Sequence, residues 1–392
     1  MQQYLKLLSF RFNLQTKYWA LEARLLYWLT LVWLFVGLVT LVSASFPEGV
    51  IEYNDGFYLL KRQLLGVLIG FVCFISVVNN PLKAVLKLSP WIVVLFLLAI
   101  FLTLIPGLGK TTYGASRWIA IGPFTLQPSE LIKPFLVLQA AYIFAQWKKL
   151  DSGVRIGWLI IFSLILLGIL KQPNLSTTAL CGMSLWLIAV AAQLPWSQLL
   201  ITSIGGLSLA TLSIYINPYQ RDRIVFFLDP WQDYQGKGYQ LIQSLLAIAS
   251  GGLGGSGFGL SQQKLSYLPI RSTDFIFAVY AEEFGFIGSV LLLIFILGYG
   301  TLALRVAFKC SNSISRLVAI GVMVFMVGQS LINIGVATGA LPTTGLPLPF
   351  FSYGTNSMIA SLLLAALLIR VAKENCQTEP IGLKKSLEIR RK

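Results

Sequence analysis

Apolar residues along this chain gather into runs of about twenty, the length an α-helix needs to cross the hydrocarbon of a bilayer. Glycine, proline and isolated charges punctuate them. The pattern predicts ten spans, over residues 25–45, 63–79, 89–106, 128–147, 155–170, 175–194, 197–216, 274–303, 317–340 and 353–372. The expected fold is an all-α polytopic membrane protein of about ten transmembrane helices, with a long extracytoplasmic loop, 217–273, between spans seven and eight. A membrane domain over 25–372 is flanked by a basic arm, 1–24, and a basic tail, 373–392. The first run is too long for a signal-peptide core and lacks a small-residue cleavage site, so it is expected to stay as a span.

Composition agrees: 56% of residues are hydrophobic, only 11% are charged, and mean hydropathy is +0.76. The net charge of +15 would suit a polyanionic partner, but its placement gives another reason. With the amino terminus cytoplasmic, inner segments hold 19 of the 30 cations and five of the 15 acids, the bias of the positive-inside rule. Both termini are thus expected in the cytoplasm, the basic arms near anionic membrane lipids, and no nucleic acid is implied. Cys73 and Cys181 fall inside spans and Cys310 and Cys376 on the inner side, which argues against a disulfide framework. The chain has no histidine, which excludes Ser-His-Asp and Cys-His nucleophiles and histidine-bound zinc. Carboxylates, lysine and arginine are left to carry any chemistry.

The inner connections, 80–87, 148–155, 194–198 and 306–316, are short and plain. Every irregular segment, 107–127, 171–174, 217–273 and 341–352, falls on the outer face, which points to one outward-facing site. Asp274 stands at the head of a strongly apolar run, where an ionisable group is costly and usually serves a cavity or a partner; a helix cap with Thr273 is the plainer role. Glu282 and Glu283 follow on the same run, each able to pair with a cation elsewhere. Glu130 and Lys133, three apart at a helix start, share a face and lie near Arg117 and Trp118; both interfacial snorkelling and the holding of an anionic headgroup fit them. The Lys171–Thr178 break reads equally as a turn or as part of a site. Gly238–Ser250 is helical in pattern but too short to cross, so it is expected to be interfacial or re-entrant. Gly251–Gly259 lacks the Lys-Ser/Thr of a P-loop; conformational freedom, or close approach of backbone to a lipid headgroup, is the expected use. Lys264 and Arg271 bracket the approach to Asp274.

Five blocks in order carry a resemblance: Gly114-Ala-Ser-Arg-Trp118; Gln127-Pro-Ser-Glu-Leu131 with Lys133; Gly238-Tyr-Gln240 with Gln243-Ser244; Thr273-Asp-Phe-Ile-Phe277 with Glu282-Glu283; and Pro347-Leu-Pro349 with Ser352-Tyr-Gly354. Together they resemble the SEDS family of shape, elongation, division and sporulation proteins, the FtsW/RodA type. Gln263–Pro269 looks more like its division-type branch. The resemblance implies a peptidoglycan glycosyltransferase that polymerises lipid II at the outer face of the bacterial plasma membrane, for septal wall synthesis. It implies Asp274 as general base, and substrate contacts from Arg117, Glu130, Lys133, Gln240, Lys264, Arg271, Glu283 and Ser352. A class B penicillin-binding protein transpeptidase and other divisome proteins are the implied partners. No tightly bound cofactor is implied, and a divalent cation, Mg or Mn, is left open. The rival readings are a lipid II flippase and an elongation polymerase. Ser272, Asn174 and Thr355 depart from the usual family residues, histidine, aspartate and glycine, and Ile270 stands where an acid is usual.

Overall fold

The computed structural model describes residues 19–112, 115–122, 124–265 and 267–378; most of the expected arm and tail lie outside them. Helices underlie each expected span: α1 (Leu21–Tyr53), α2 (Tyr58–Asn79), α3 (Leu82–Leu102), α4 (Pro128–Leu131), α5 (Lys133–Ala145), α6 (Ser152–Lys171), α7 (Leu175–Ala191) and α8 (Trp196–Ile216). After α9 (Pro218–Leu228) and α10 (Tyr239–Ser250) come α11 (Ile276–Lys309), α12 (Ser313–Met323), α13 (Gln329–Ala337) and α14 (Thr355–Thr378). The fold is polytopic and helical. Among the described residues, eight helical stretches are long and apolar enough to cross a membrane, with α12 and α13 joined into one by a π-turn at Val324–Gly328. The expected span 128–147 is instead divided into α4 and α5, and α7 has only 17 residues.

Packing sorts the helices. In the α14 span 78% of residues are buried inside the protein, against 6% in α8. So α14 is the axis, laid along α1, α2 and α12, while α8 meets the rest mainly through α7 and α9. Outward side chains such as Trp91, Leu95, Leu207 and Leu291 are large and apolar, as lipid-facing positions require.

Two features escape hydropathy. Residues 109–126 form a three-stranded antiparallel sheet, β1 (Gly109–Thr112), β2 (Ala115–Ile121) and β3 (Phe124–Leu126), with Ile119 opposite Leu126. And α11 is broken at Gly285, whose φ of 66° and ψ of −167° end a first half-helix, Ile276–Phe284. The glycine-rich run explains the break. Phe286 N donates to Gly252 O and Ile287 N to Leu253 O, at 2.8 and 3.1 Å, while Ser256 N and Gly257 N donate to the carbonyls of Glu282 and Glu283. A Cβ on Gly285 would lie 2.3 Å from the Gly255 nitrogen, so only glycine permits this contact. The close approach expected toward a headgroup is thus made to helix backbone.

Candidate active site

A cavity of about 620 Å3 opens where β2, the 171–174 turn, α9, residues 270–274 and the 341–354 loop converge. Asp274 lies in its wall, two residues ahead of α11. It does not cap that helix: the cap position is Phe275, and no side chain bonds the helix end. The carboxylate faces Arg223 and Arg117 across the cavity. Burial pushes its pKa above the ordinary carboxylate value, and the two guanidiniums pull it partly back.

Neighbouring backbone fixes this aspartate. Asn333 Nδ2 donates to Asp274 O at 2.9 Å and to Leu346 O at 2.8 Å, tying α13 to both strands of the site. Ser352 Oγ donates to Thr273 O at 2.6 Å and accepts from Leu348 N, while Tyr353 N donates to Ser272 O. The 341–354 loop is therefore laced to the aspartate's own segment. Ile270, in that segment, holds φ at 54°, a strained value for a β-branched residue, and its carbonyl accepts from Thr273 N. Gly345 has φ of 74°, and a Cβ there would stand 3.5 Å from Asp274 Oδ2 and 3.7 Å from Arg223 Nη2. Lack of a side chain keeps that gap open.

Three arginines share the wall with Asp274: Arg62, Arg117 and Arg223. Arg117 extends from β2 to donate from Nε to Gln172 O at 3.0 Å and from Nη2 to Pro173 O. Arg223 Nη1 donates to Thr344 O at 3.0 Å and Nη2 to Tyr219 Oη at 2.6 Å, its guanidinium 4.6 Å over the Tyr219 ring. Glu130 also lines the cavity, but Lys133 Nζ, 2.6 Å from its Oε1, neutralises it. The balance is cationic, fitted to a multiply charged anion.

Of the residues expected from sequence, the wall holds Asp274, Arg117 and Glu130. Six stand back from it, for identifiable reasons. Lys133, 1% exposed, bonds Gln329 Oε1 behind Glu130, and Gln329 Nε2 donates to Pro347 O, so this lysine braces the loop. Lys264 is buried against Glu283, 2.7 Å away, and Ser43 of α1. That same pair accounts for Glu283. Arg271 is buried in the field of Glu48 of α1 rather than that of the cavity. Gln240 lies on α10, off the wall, and Ser352 engages backbone. Sequence reasoning missed Arg62, Arg223 and Asn333. Arg223 sits in the polar Asn217–Arg223 run, where an arginine is unremarkable, and neither Arg62 nor Asn333 breaks any pattern.

A family model described as Cell cycle protein, named for FtsW, RodA and SpoVE, matches residues 23–377. The chain is 53% identical over 368 residues to a probable peptidoglycan glycosyltransferase FtsW of Synechocystis, covering 93% of each chain. It is 36% identical to stage V sporulation protein E of Bacillus subtilis, over 88% of this chain and 95% of that one. Among solved structures it resembles a chain of a peptidoglycan synthase complex, described for its coordination of polymerization and crosslinking (TM-score 0.70, 29% identity, covering 90% and 98%). It also resembles Thermus thermophilus RodA (TM-score 0.65, 27% identity, covering 89% and 96%).

Proposed function

The chain belongs to the cell cycle protein family of FtsW, RodA and SpoVE, and on that premise we propose that its basic cavity is where lipid II headgroups are joined. The protein is a multi-pass membrane glycosyltransferase of peptidoglycan, of the division kind. The observation that carries the site is the Asp274 carboxylate set opposite Arg117 and Arg223 in one cavity.

The chemistry follows from that pairing. Asp274 accepts the proton of an acceptor sugar hydroxyl as its oxygen bonds to the anomeric carbon of the donor. The bond from that carbon to the diphosphate breaks on the opposite face, and its electron pair leaves with the diphosphate-lipid. Arg117, Arg223 and Arg62 meet the charge that develops there. Asp274 serves as the base and shares the wall with three guanidiniums, a setting that does not fit a Mg or Mn ion, so no step is assigned to one. Among the described residues no cluster of three acidic or sulfur ligands would hold it independently.

The asymmetry of basic residues supports cytoplasmic termini and an outward-facing cavity, and division-type relatives support action at the septum. The peptidoglycan synthase relative supports a class B penicillin-binding protein as transpeptidase partner. Purified protein in liposomes, given labelled lipid II and that partner, is expected to yield glycan polymer. Headgroup translocation without polymer would replace this reading with a flippase.

The pH profile tests the base. Arg223 favours the ionised carboxylate, so Arg223→Gln raises the pKa of Asp274. A base works ionised, so the acid limb of kcat/KM moves to higher pH, on top of an overall loss of rate. An acid limb unmoved, or moved downward, would count against Asp274 as the titrating group.

A further inference from the structure

Three tyrosines and an arginine carry the cavity outward along the α1–α2 turn. Tyr53 ends α1 and Tyr58 begins α2; their rings stack with centroids 4.0 Å apart and planes 16° from parallel. The Arg62 guanidinium lies over the Tyr58 ring, 5.6 Å from its centroid, and near the side chain of Tyr353. Arg62 and Tyr353 in turn line the cavity. The row is therefore continuous from Asp274's chamber to the surface, where Tyr53 is 43% exposed. Glu52 and Glu48 stand beside Tyr53.

Core packing does not explain this row, because its outer ring is largely uncovered. An interfacial aromatic belt would need neither a stacked pair nor adjacent carboxylates. The carboxylates also disfavour an anionic lipid. The exposed Tyr53 ring, backed by Tyr58 with Arg62 over it and with Glu52 alongside, matches the chemistry of a pyranose, which offers apolar C–H faces and a rim of hydroxyls. A growing strand extends beyond the two sugars joined in the cavity, so part of the saccharide must lie along its exit.

We propose that Tyr53, Tyr58, Arg62 and Tyr353, with Glu52 beside them, form a saccharide subsite that holds the glycan strand along the way out of the cavity. The proposal rests on the polymerase reading for its biological meaning. Its binding chemistry is independent of it.

Two measurements on the full chain in nanodiscs test the subsite. In the first, a soluble, lipid-free glycan fragment of several repeats is titrated onto wild type and onto Tyr53→Ala/Tyr58→Ala. The double variant is expected to bind about fivefold more weakly, the loss typical of one or two aromatic contacts. In the second, product strands are sized after equal consumption of lipid II, and the double variant is expected to give strands about threefold shorter. Tyr53→Phe/Tyr58→Phe keeps the rings and stays near wild type in both. Tyr53→Ala alone, at a half-exposed position, serves if the double variant does not fold. Equal fragment binding by wild type and the alanine variants overturns the subsite, as does loss of partner association with fragment binding unchanged. Failure of wild type to polymerise at all would instead overturn the proposed reaction, with the fragment titration still deciding the subsite.

Discussion

Asp274→Asn is expected to lower the rate of glycan polymerisation about a thousandfold, the middle of the range that a general base contributes. The substitution keeps size and shape. It also leaves the scaffold intact, because Asn333 holds the Asp274 main-chain carbonyl, and the side chain caps no helix. Removing a negative charge opposite Arg117 and Arg223 makes the cavity more attractive to a diphosphate. Lipid II is therefore expected to bind as tightly as before or tighter, and the loss falls on kcat. Labelled lipid II resolves the two quantities, by gel for polymer and by titration for binding, with thermal unfolding confirming the fold. Polymer formed within tenfold of the wild-type rate would remove Asp274 as the base.

What made Asp274 legible was its cost: a carboxylate at the head of an apolar run stands out on hydropathy alone. The Glu130–Lys133 pair was legible because three residues apart on a helix means one face, and the pair forms at 2.6 Å. The spans were legible from hydropathy, but the break in α11 was not, since apolar residues continue on both sides of Gly285. Its cause lies some thirty residues earlier, in glycines whose backbone pairs with the broken helix. Nearness in sequence was also no guide to which side chains line the cavity. Lys264 and Arg271 were natural choices for the diphosphate because they flank Asp274, yet one is committed to Glu283 and the other lies by Glu48. Arg223, some fifty residues upstream, and Asn333, on α13, reach the aspartate through folding that no local pattern records.

That commitment of Lys264 sets the second large effect. Lys264→Met is expected to destabilise the protein by about 3–5 kcal/mol, the range for stripping one partner from a buried ion pair. The side chains of Lys264 and Glu283 are 5% and 0% exposed, and Ser43 bonds both. Glu283 Oε2 already has no hydrogen-bond partner, so loss of the ammonium leaves an uncompensated buried charge. Glu283→Gln added to Lys264→Met removes that charge and is expected to restore most of the stability. The Lys61–Asp55 pair provides the contrast: it is as short, at 2.7 Å, but 67% and 36% exposed, and Lys61→Met is expected to leave the melt close to that of the wild type. Thermal unfolding of the variants in detergent compares them directly. A Lys264→Met melt no lower than that of Lys61→Met would mean that the buried pair does not hold the half-helix. If it does hold it, polymerase activity falls along with stability, because Glu283 sits on the Ile276–Phe284 segment whose first turn follows Asp274.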